Sequence, residues 1–167
     1  MGSNKKKPRT KKYKPRQVNI PPFLLKQEPS RDMIASFERR IRDIYLQLHL
    51  GSADRETLFE LVRHFLLGAA IRERYTEEAA IFDELVRATR PCIDAMIALE
   101  DGEEPDWNAV RETEPAANLV IELISKGKAL DSLVEMEWLR EESPRIVNDL
   151  IRNRRKDIAE GKLQKDA

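Results

Sequence analysis

The chain has few of the residues from which redox, metal-dependent and disulfide-stabilised proteins are built. Its 167 residues include one cysteine, Cys92, and two histidines, His49 and His64. A single cysteine cannot form a disulfide within the chain, which excludes a disulfide-stapled secreted domain. A lone cysteine in a helical pattern is typically a small core residue, and we predict that role for Cys92 rather than a nucleophilic one.

Long apolar runs and glycine-rich loops are also missing. No stretch approaches the roughly 20 apolar residues of a membrane-spanning helix, and no apolar signal segment follows the charged N-terminus. With only six glycines, the chain contains no phosphate-binding or dinucleotide-binding glycine motif. We therefore predict a cytoplasmic protein that holds no cofactor.

The sequence also has few motifs that could support catalysis. The chain has no His-Glu-x-x-His and no Cys-x-x-Cys motif. Glu60 and His64 are spaced four residues apart, as two metal ligands on one helix can be, but a di-metal helical bundle needs paired Glu-x-x-His motifs and further inward carboxylates. We predict no metal site and no enzyme, with both histidines as ordinary core or surface residues.

Charge, by contrast, is abundant and unevenly placed. The 30 basic and 30 acidic residues balance, yet eight of the basic ones lie within the first sixteen positions, where no acidic residue occurs. The rest of the chain therefore has 22 basic against 30 acidic residues. A segment this polar buries too little apolar surface to offset its ordering entropy, so we predict a disordered arm. Each phosphate that the arm neutralises would release counterions, which favours nucleic acid or a nucleoprotein as its partner.

Two basic groups supply the candidate nucleic-acid-binding residues. The arm contributes its cations and an aromatic ring that can stack on a base, and a second cluster lies near the C-terminus. The candidates are Lys5, Lys6, Lys7, Arg9, Lys11, Lys12, Tyr13, Lys14, Arg16, Arg152, Arg154, Arg155 and Lys156. Two other roles stay open for the arm, namely a solvated tail and a segment that contacts a protein or a membrane surface.

The middle of the chain is the acidic counterpart of the arm. Residues 76–114 contain twelve acidic residues and three basic ones. Such a segment is a solvated face, a counter-charge that neutralises the arm until a polyanion displaces it, or a surface that imitates nucleic acid toward a basic host protein. The last two roles would make this surface functional.

The spacing of apolar residues predicts an all-α fold. Apolar positions recur at intervals of three and four, and no alternating run is long enough for a strand. Caps and glycines place five helices near residues 30–50, 53–75, 76–97, 115–139 and 143–160, with a short turn at Trp107. Pro91 predicts a kink or a break in the third helix. Ser52 is predicted to cap the second helix, and Ser143-Pro144 to start the last one. Gly127 lies inside the fourth helix and need not end it.

Three regions follow from these patterns. Residues 1–29 form a basic, proline-containing arm and linker, residues 30–160 an antiparallel bundle of about five helices, and residues 161–167 a frayed tail. In the linker, Pro21 and Pro22 require an extended path. The apolar Phe23, Leu24 and Leu25 then either lie across the bundle as a strap, which we favour, or form a linear motif for another protein.

The opening Lys-Lys-Lys-Pro-Arg-Thr-Lys-Lys-Tyr-Lys-Pro-Arg-Gln-Val, residues 5–18, resembles that of small uncharacterised phage and prophage proteins of Gram-negative bacteria. Those proteins begin with a Lys-rich Tyr-(Lys/Arg)-Pro-(Lys/Arg)-Pro-Val segment, in which Gln17 replaces the second proline here. The similarity continues through residues 53–58 and 146–150. The resemblance implies a phage accessory protein in a bacterial host cell and brings no catalytic residues with it.

Together these observations predict a non-enzymatic phage-type accessory protein with a basic arm that binds DNA or RNA, or a nucleoprotein, non-specifically through phosphates. The alternative is an inhibitor or adaptor that binds a host protein with the acidic helical surface. Neither role involves a membrane or a cofactor, and a homodimer stays open in both.

Overall fold

A computed structural model of the protein describes residues 27–75 and 79–161, and these form six helices and no strand. The all-α bundle predicted from the sequence is thereby confirmed, with five long helices and one short one. The helices are α1 (Arg31–Leu50), α2 (Arg55–Tyr75), α3 (Ala79–Glu100), α4 (Trp107–Arg111), α5 (Glu114–Lys126) and α6 (Ala129–Ala159). The predicted arm and most of the linker, residues 1–26, lie outside the described residues, as do residues 162–167 of the predicted tail.

Helix α1 begins and ends where its sequence predicts. The Ser30 hydroxyl accepts a hydrogen bond from the Met33 amide at 3.1 Å, and Asp32 lies in the first turn, where the helix dipole favours a negative charge. Gly51 ends the helix with a left-handed φ of 71°, and its amide bonds to the carbonyls of Gln47 and Leu48. One face is buried, namely Phe37, Ile41, Ile44, Tyr45 and Leu48.

Helix α2 is central in the bundle and packs against α3, α5 and α6. At its N-terminus the capping residue differs from the predicted Ser52. The Asp54 carboxylate, not Ser52, accepts from the Thr57 amide at 2.9 Å, while the Thr57 hydroxyl lies 3.3 Å from the Asp54 amide. This reciprocal pair satisfies two amides that a helix start leaves without a partner. Apolar residues on more than one side of α2 are fully buried, among them Leu58, Leu61, Val62, Phe65 and Ile71.

Gly68 lets α2, α3 and α5 approach closely. A β-carbon built on Gly68 would lie 2.5 Å from Val120 Cγ2 and 3.2 Å from Leu85 Cδ1. The first distance is shorter than carbon atoms tolerate, so a larger residue would push α5 away from α2.

Gly68→Ala should therefore destabilise the protein by about 1–3 kcal/mol, although alanine is the better helix former by about 1 kcal/mol. Urea unfolding followed by circular dichroism measures the loss. In the double variant Gly68→Ala/Val120→Ala the missing valine methyls make room for the new one. The double variant should therefore lose less stability than the sum of the single losses, and strictly additive losses would contradict the close contact.

Two prolines lie inside continuous helices. Helix α3 runs through Pro91 and α6 runs through Pro144, so neither a break at Pro91 nor the predicted helix start at Ser143-Pro144 is correct. A helical proline leaves the carbonyl four residues earlier without its amide partner. Those carbonyls belong to Arg87 and Arg140, both exposed residues, so water can satisfy them.

The helix boundary lies instead at Gly127. Its amide donates to the carbonyls of Leu123 and Ile124, and its extended backbone turns the chain out of α5. Helix α6 then starts at Ala129, whose amide donates to the carbonyl of Gln27 at 3.0 Å. The Lys128 side chain does not cap α6, so the linker carbonyl supplies a hydrogen-bond partner for the first amide of the helix.

A buried pair of hydroxyls joins α1 to the turn between α4 and α5. Thr113 Oγ1 donates to the Val110 carbonyl at 2.6 Å, so the Tyr45 hydroxyl, 2.7 Å from Thr113 Oγ1, must be the donor in that contact. Burial raises the pKa of Tyr45 far above its usual value, which keeps it a donor. This bond orients α1 against the rest of the bundle.

Candidate nucleic-acid and protein interfaces

The candidate residues of the arm lie outside the described residues, so their assignment stays a prediction. They are Lys5, Lys6, Lys7, Arg9, Lys11, Lys12, Tyr13, Lys14 and Arg16. The second candidate cluster lies within the described residues, on the last turns of α6.

Two members of the C-terminal cluster bind carboxylates at the far end of α3. Arg154 donates from Nε and Nη2 to both oxygens of Asp94, at 2.7 and 3.0 Å. Arg155 holds Asp101 in the same two-pronged way, at 2.8 and 3.1 Å, and also reaches Glu100 at 3.1 Å. Such paired bonds are the strongest geometry that an arginine and a carboxylate can adopt. They fasten the C-terminal turns of α6 to α3.

The electrostatics agree with a structural role for these two arginines. The bond to Asp94 raises the pKa of Arg154, whose side chain is only 11% exposed. The bond from Arg155 lowers the pKa of Asp101. A phosphate that approached Nε or Nη2 of Arg154, or Nη1 or Nη2 of Arg155, would have to displace a carboxylate. The remaining terminal nitrogen of Arg154, Nη1, is buried and has no hydrogen-bond partner.

The other two members of the cluster are more exposed. Arg152 Nη1 lies 3.3 Å from Asp149 within α6, and Lys156 Nζ lies 3.9 Å from Glu160, the residue that follows the helix. Exposed pairs of this kind are weak and yield easily to another anion. Arg152 and Lys156 are therefore the members of the cluster best able to meet a phosphate.

The acidic middle of the chain is partly engaged inside the protein. Besides the carboxylates that Arg154 and Arg155 hold, Asp106 caps α4 by accepting from the Ala109 amide at 3.1 Å. Glu104 accepts from the Trp107 indole at 3.1 Å. Several of these acidic residues thus stabilise the bundle rather than form a free surface, a role that the charge pattern does not reveal.

A groove between α1, α2 and the first half of α6 is the feature that the sequence did not predict. It encloses about 300 Å³. Its apolar lining is Phe37, Leu67, Leu133, Met136 and Leu139, and its charged rim is Arg40, Glu60, Arg63, Glu137 and Arg140. We call it the α1–α6 groove. Leu133 and Val134 are adjacent in sequence and both fit the apolar stripe of α6, which thus has more apolar positions than one stripe needs. This excess is the only signal for the groove in the sequence.

His64 lies in the wall of this groove as a buried, neutral histidine. Its Nε2 is 2.9 Å from the carbonyl of Ala117, which only accepts, so Nε2 carries the proton. Burial lowers the pKa of His64 to about 4. The ring therefore bridges α2 and α5 in its uncharged form.

Glu60 and His64 do not act together as a metal pair. Glu60 accepts from Arg63 and lies 3.9 Å from Arg40, while His64 bonds to Ala117. Among residues 27–75 and 79–161, no group of three or more histidine, cysteine or carboxylate side chains is arranged to hold a metal ion.

Cys92 has the predicted core position. It is fully buried, and its Sγ lies 3.7 Å from the Ala88 carbonyl. Burial raises the pKa of the thiol to about 12, so the nucleophilic thiolate is scarce near neutral pH.

In the part of the chain that the structure describes, no helix is both long enough and apolar enough to cross a membrane. Comparison of the chain with protein-family models, with curated proteins and with solved structures finds no match.

Proposed function

We propose that this is a phage-type accessory protein without enzymatic activity, which binds nucleic acid or a nucleoprotein through its basic arm in the cytoplasm of a bacterial host. The observation that supports it is the segregation of charge. Residues 1–26 contain nine of the 30 basic residues and no acidic one, which leaves 21 basic against 30 acidic residues in the rest of the chain. Phosphates should therefore be attracted mainly to the basic first 26 residues and repelled by the acidic remainder of the chain.

The pairing of cations in the bundle strengthens this proposal. Each of the four C-terminal candidates has a carboxylate within 4 Å, whereas the arm has no acidic residue in its own stretch of sequence. Phosphate contacts with flexible basic side chains carry little base information, so binding is non-specific. The arm is therefore the main contact, and the α6 cluster contributes at most Arg152 and Lys156.

Binding to duplex DNA should weaken steeply with salt. If four to six cations of the arm meet phosphates, log affinity should fall against log salt with a slope of about −4 to −5. Changing Lys5, Lys6, Lys7 and Arg9 together to glutamine should flatten the slope by up to about 4 and weaken unrelated sequences alike. Fluorescence anisotropy at several salt concentrations measures both quantities.

The matched control is Arg152→Gln/Lys156→Gln, which removes two exposed cations from the bundle and should change the slope by no more than about 2. On single strands, Tyr13→Ala should cost roughly 1–3 kcal/mol if a base stacks on the ring. Deleting residues 1–16 should leave the melting temperature nearly unchanged, which separates lost binding from lost folding. A protein without those residues that binds DNA and RNA as tightly as the full chain would overturn the proposal.

A second candidate function is that of an adaptor or inhibitor that binds a host protein. Three large apolar side chains in the first half of α6 are about half exposed, namely Leu133, Val134 and Trp138, and apolar surface beside charged residues is typical of protein interfaces. The α3–α4 loop presents exposed carboxylates such as Glu103 near the other end of α6, where Arg155 bonds to Asp101. Binding of a purified basic protein that survives removal of the arm but not Trp138→Ala or Glu103→Lys would favour this role.

A further inference from the structure

The linker enters the bundle at one defined point. The carbonyl of Gln27 accepts the hydrogen bond of the Ala129 amide at 3.0 Å, and three residues later Ser30 caps α1. The chain before Gln27 therefore reaches the bundle between the N-termini of α1 and α6.

The α1–α6 groove begins at that same point. A smaller pocket adjoins it there and shares Phe37, Leu133 and Met136 with it. Met33, in the first turn of α1, lines this smaller pocket. From there the groove continues along α6 to Leu139. Whatever residues precede Gln27 therefore start beside an apolar channel.

Length and chemistry both fit the segment Ile20-Pro21-Pro22-Phe23-Leu24-Leu25. From Ala129, which bonds to Gln27, to Arg140 at the far end of the groove is eleven residues of helix, about 16 Å at 1.5 Å per residue. Six extended residues cover about 20 Å at 3.3 Å each, and Phe23 is four residues from Gln27, within about 13 Å of it. Residues 17–25 carry no charge, and two of them are prolines that have no amide to leave unpaired in an apolar groove.

The lining also has surface to bury. The Leu133 side chain is 52% exposed, and Met33 and Met136 are partly exposed, whereas Phe37 is already buried. A closed apolar cavity of about 150 Å³ holds a benzene ring. The groove is open to solvent and has a charged rim, and its volume is about 300 Å³. A phenylalanine ring with neighbouring leucines is a suitable occupant.

We propose that residues 20–25 occupy the α1–α6 groove of their own chain, with the Phe23 ring against the side chains around Phe37 and Met136. The arm then leaves the bundle from the far end of the groove, beside Arg40 and Arg140, rather than from the N-terminus of α1. This places its first cations next to two exposed arginines of the rim. The proposal concerns a contact within the folded chain and does not depend on what the arm binds.

Stability of the full chain tests the contact. Phe23→Asp should lower the melting temperature by roughly 5 °C or more, because a charge in the groove cannot replace the buried ring. Val18→Asp, which adds the same charge to the same linker outside the segment, is the matched control and should change the melting temperature by no more than about 1 °C. In a Met136→Ala background, Phe23→Ala should lose much less than it does in the wild type, since the two side chains share one contact.

Disulfide trapping identifies the occupant directly. Leu24→Cys combined with Leu133→Cys should give, on mild oxidation, a crosslink within a monomer, because Cys92 is buried and does not compete. A crosslink between two chains would overturn the proposal in favour of a second copy in the groove. The absence of any crosslink, together with an unchanged melting temperature for Phe23→Asp, would equally overturn it and would leave the groove to another protein.

Discussion

Phe65→Ala should lower the free energy of unfolding by about 3–5 kcal/mol, the largest loss that we expect from a single substitution in the core. The Phe65 side chain is fully buried in the middle of α2, the helix that packs against α3, α5 and α6. Its ring also meets the imidazole of His64 edge-on, with centroids 6.2 Å apart. Removing the ring leaves a cavity that four rigid helices cannot close.

Urea unfolding near neutral pH measures this loss. Leu46→Ala also truncates a large apolar side chain to alanine, but at a position of α1 that is 52% exposed, and it should change stability by no more than about 0.5 kcal/mol. A loss below about 1 kcal/mol for Phe65→Ala would show that α2 is not the centre of the core.

Acid should destabilise the protein through His64, well before most carboxylates are protonated. Its pKa is about 4 in the folded state, against an ordinary value of about 6.5 in the unfolded chain. Because the unfolded state binds the proton more readily, the stability that His64 contributes is complete above pH 6.5 and is lost as the pH falls toward 4. The full loss is on the order of 3 kcal/mol, and about 2 kcal/mol of it should be gone by pH 5.

Unfolding free energies between pH 7 and pH 4.5 measure this effect. His64→Gln keeps a donor for the Ala117 carbonyl but cannot be protonated, so its stability should fall much less over this range than that of the wild type. Parallel curves for the wild type and His64→Gln would show that the imidazole stays accessible to protons in the folded state.

The features that the sequence predicts correctly depend on neighbouring residues alone. Both ends of α1 follow from Ser30 and Gly51, whose hydrogen bonds reach no more than four residues away. Its buried face follows from the spacing of its own apolar residues. Positions of this kind need no knowledge of the rest of the fold.

The wrong predictions concern residues whose effect depends on distant surroundings. Pro144 is tolerated within α6 because the carbonyl it frees, that of Arg140, is at an exposed position. Gly127 ends α5 at a point where the next amides find a partner more than 100 residues earlier, in Gln27. Neither circumstance can be read from the residues that flank the proline or the glycine.

The candidate sites show the same division. The charge of the arm is a matter of composition, so the sequence identifies it as a candidate for polyanion binding at once. The partners of Arg154 and Arg155 lie 54 to 60 residues away, on α3 and directly after its end, and the α1–α6 groove is lined by three helices. Sequence spacing describes one helix at a time, so it cannot predict either arrangement.

The burial of Cys92 makes the wild-type chain its own reporter of local opening. A thiol reagent can reach the sulfur only when α3 separates from its neighbours, so the labelling rate relative to that of an exposed thiol measures how often that happens. Because the sequence contains no second cysteine, every labelled molecule marks the same event. The frequency of core opening can thus be followed, with and without nucleic acid, in a protein that carries no probe.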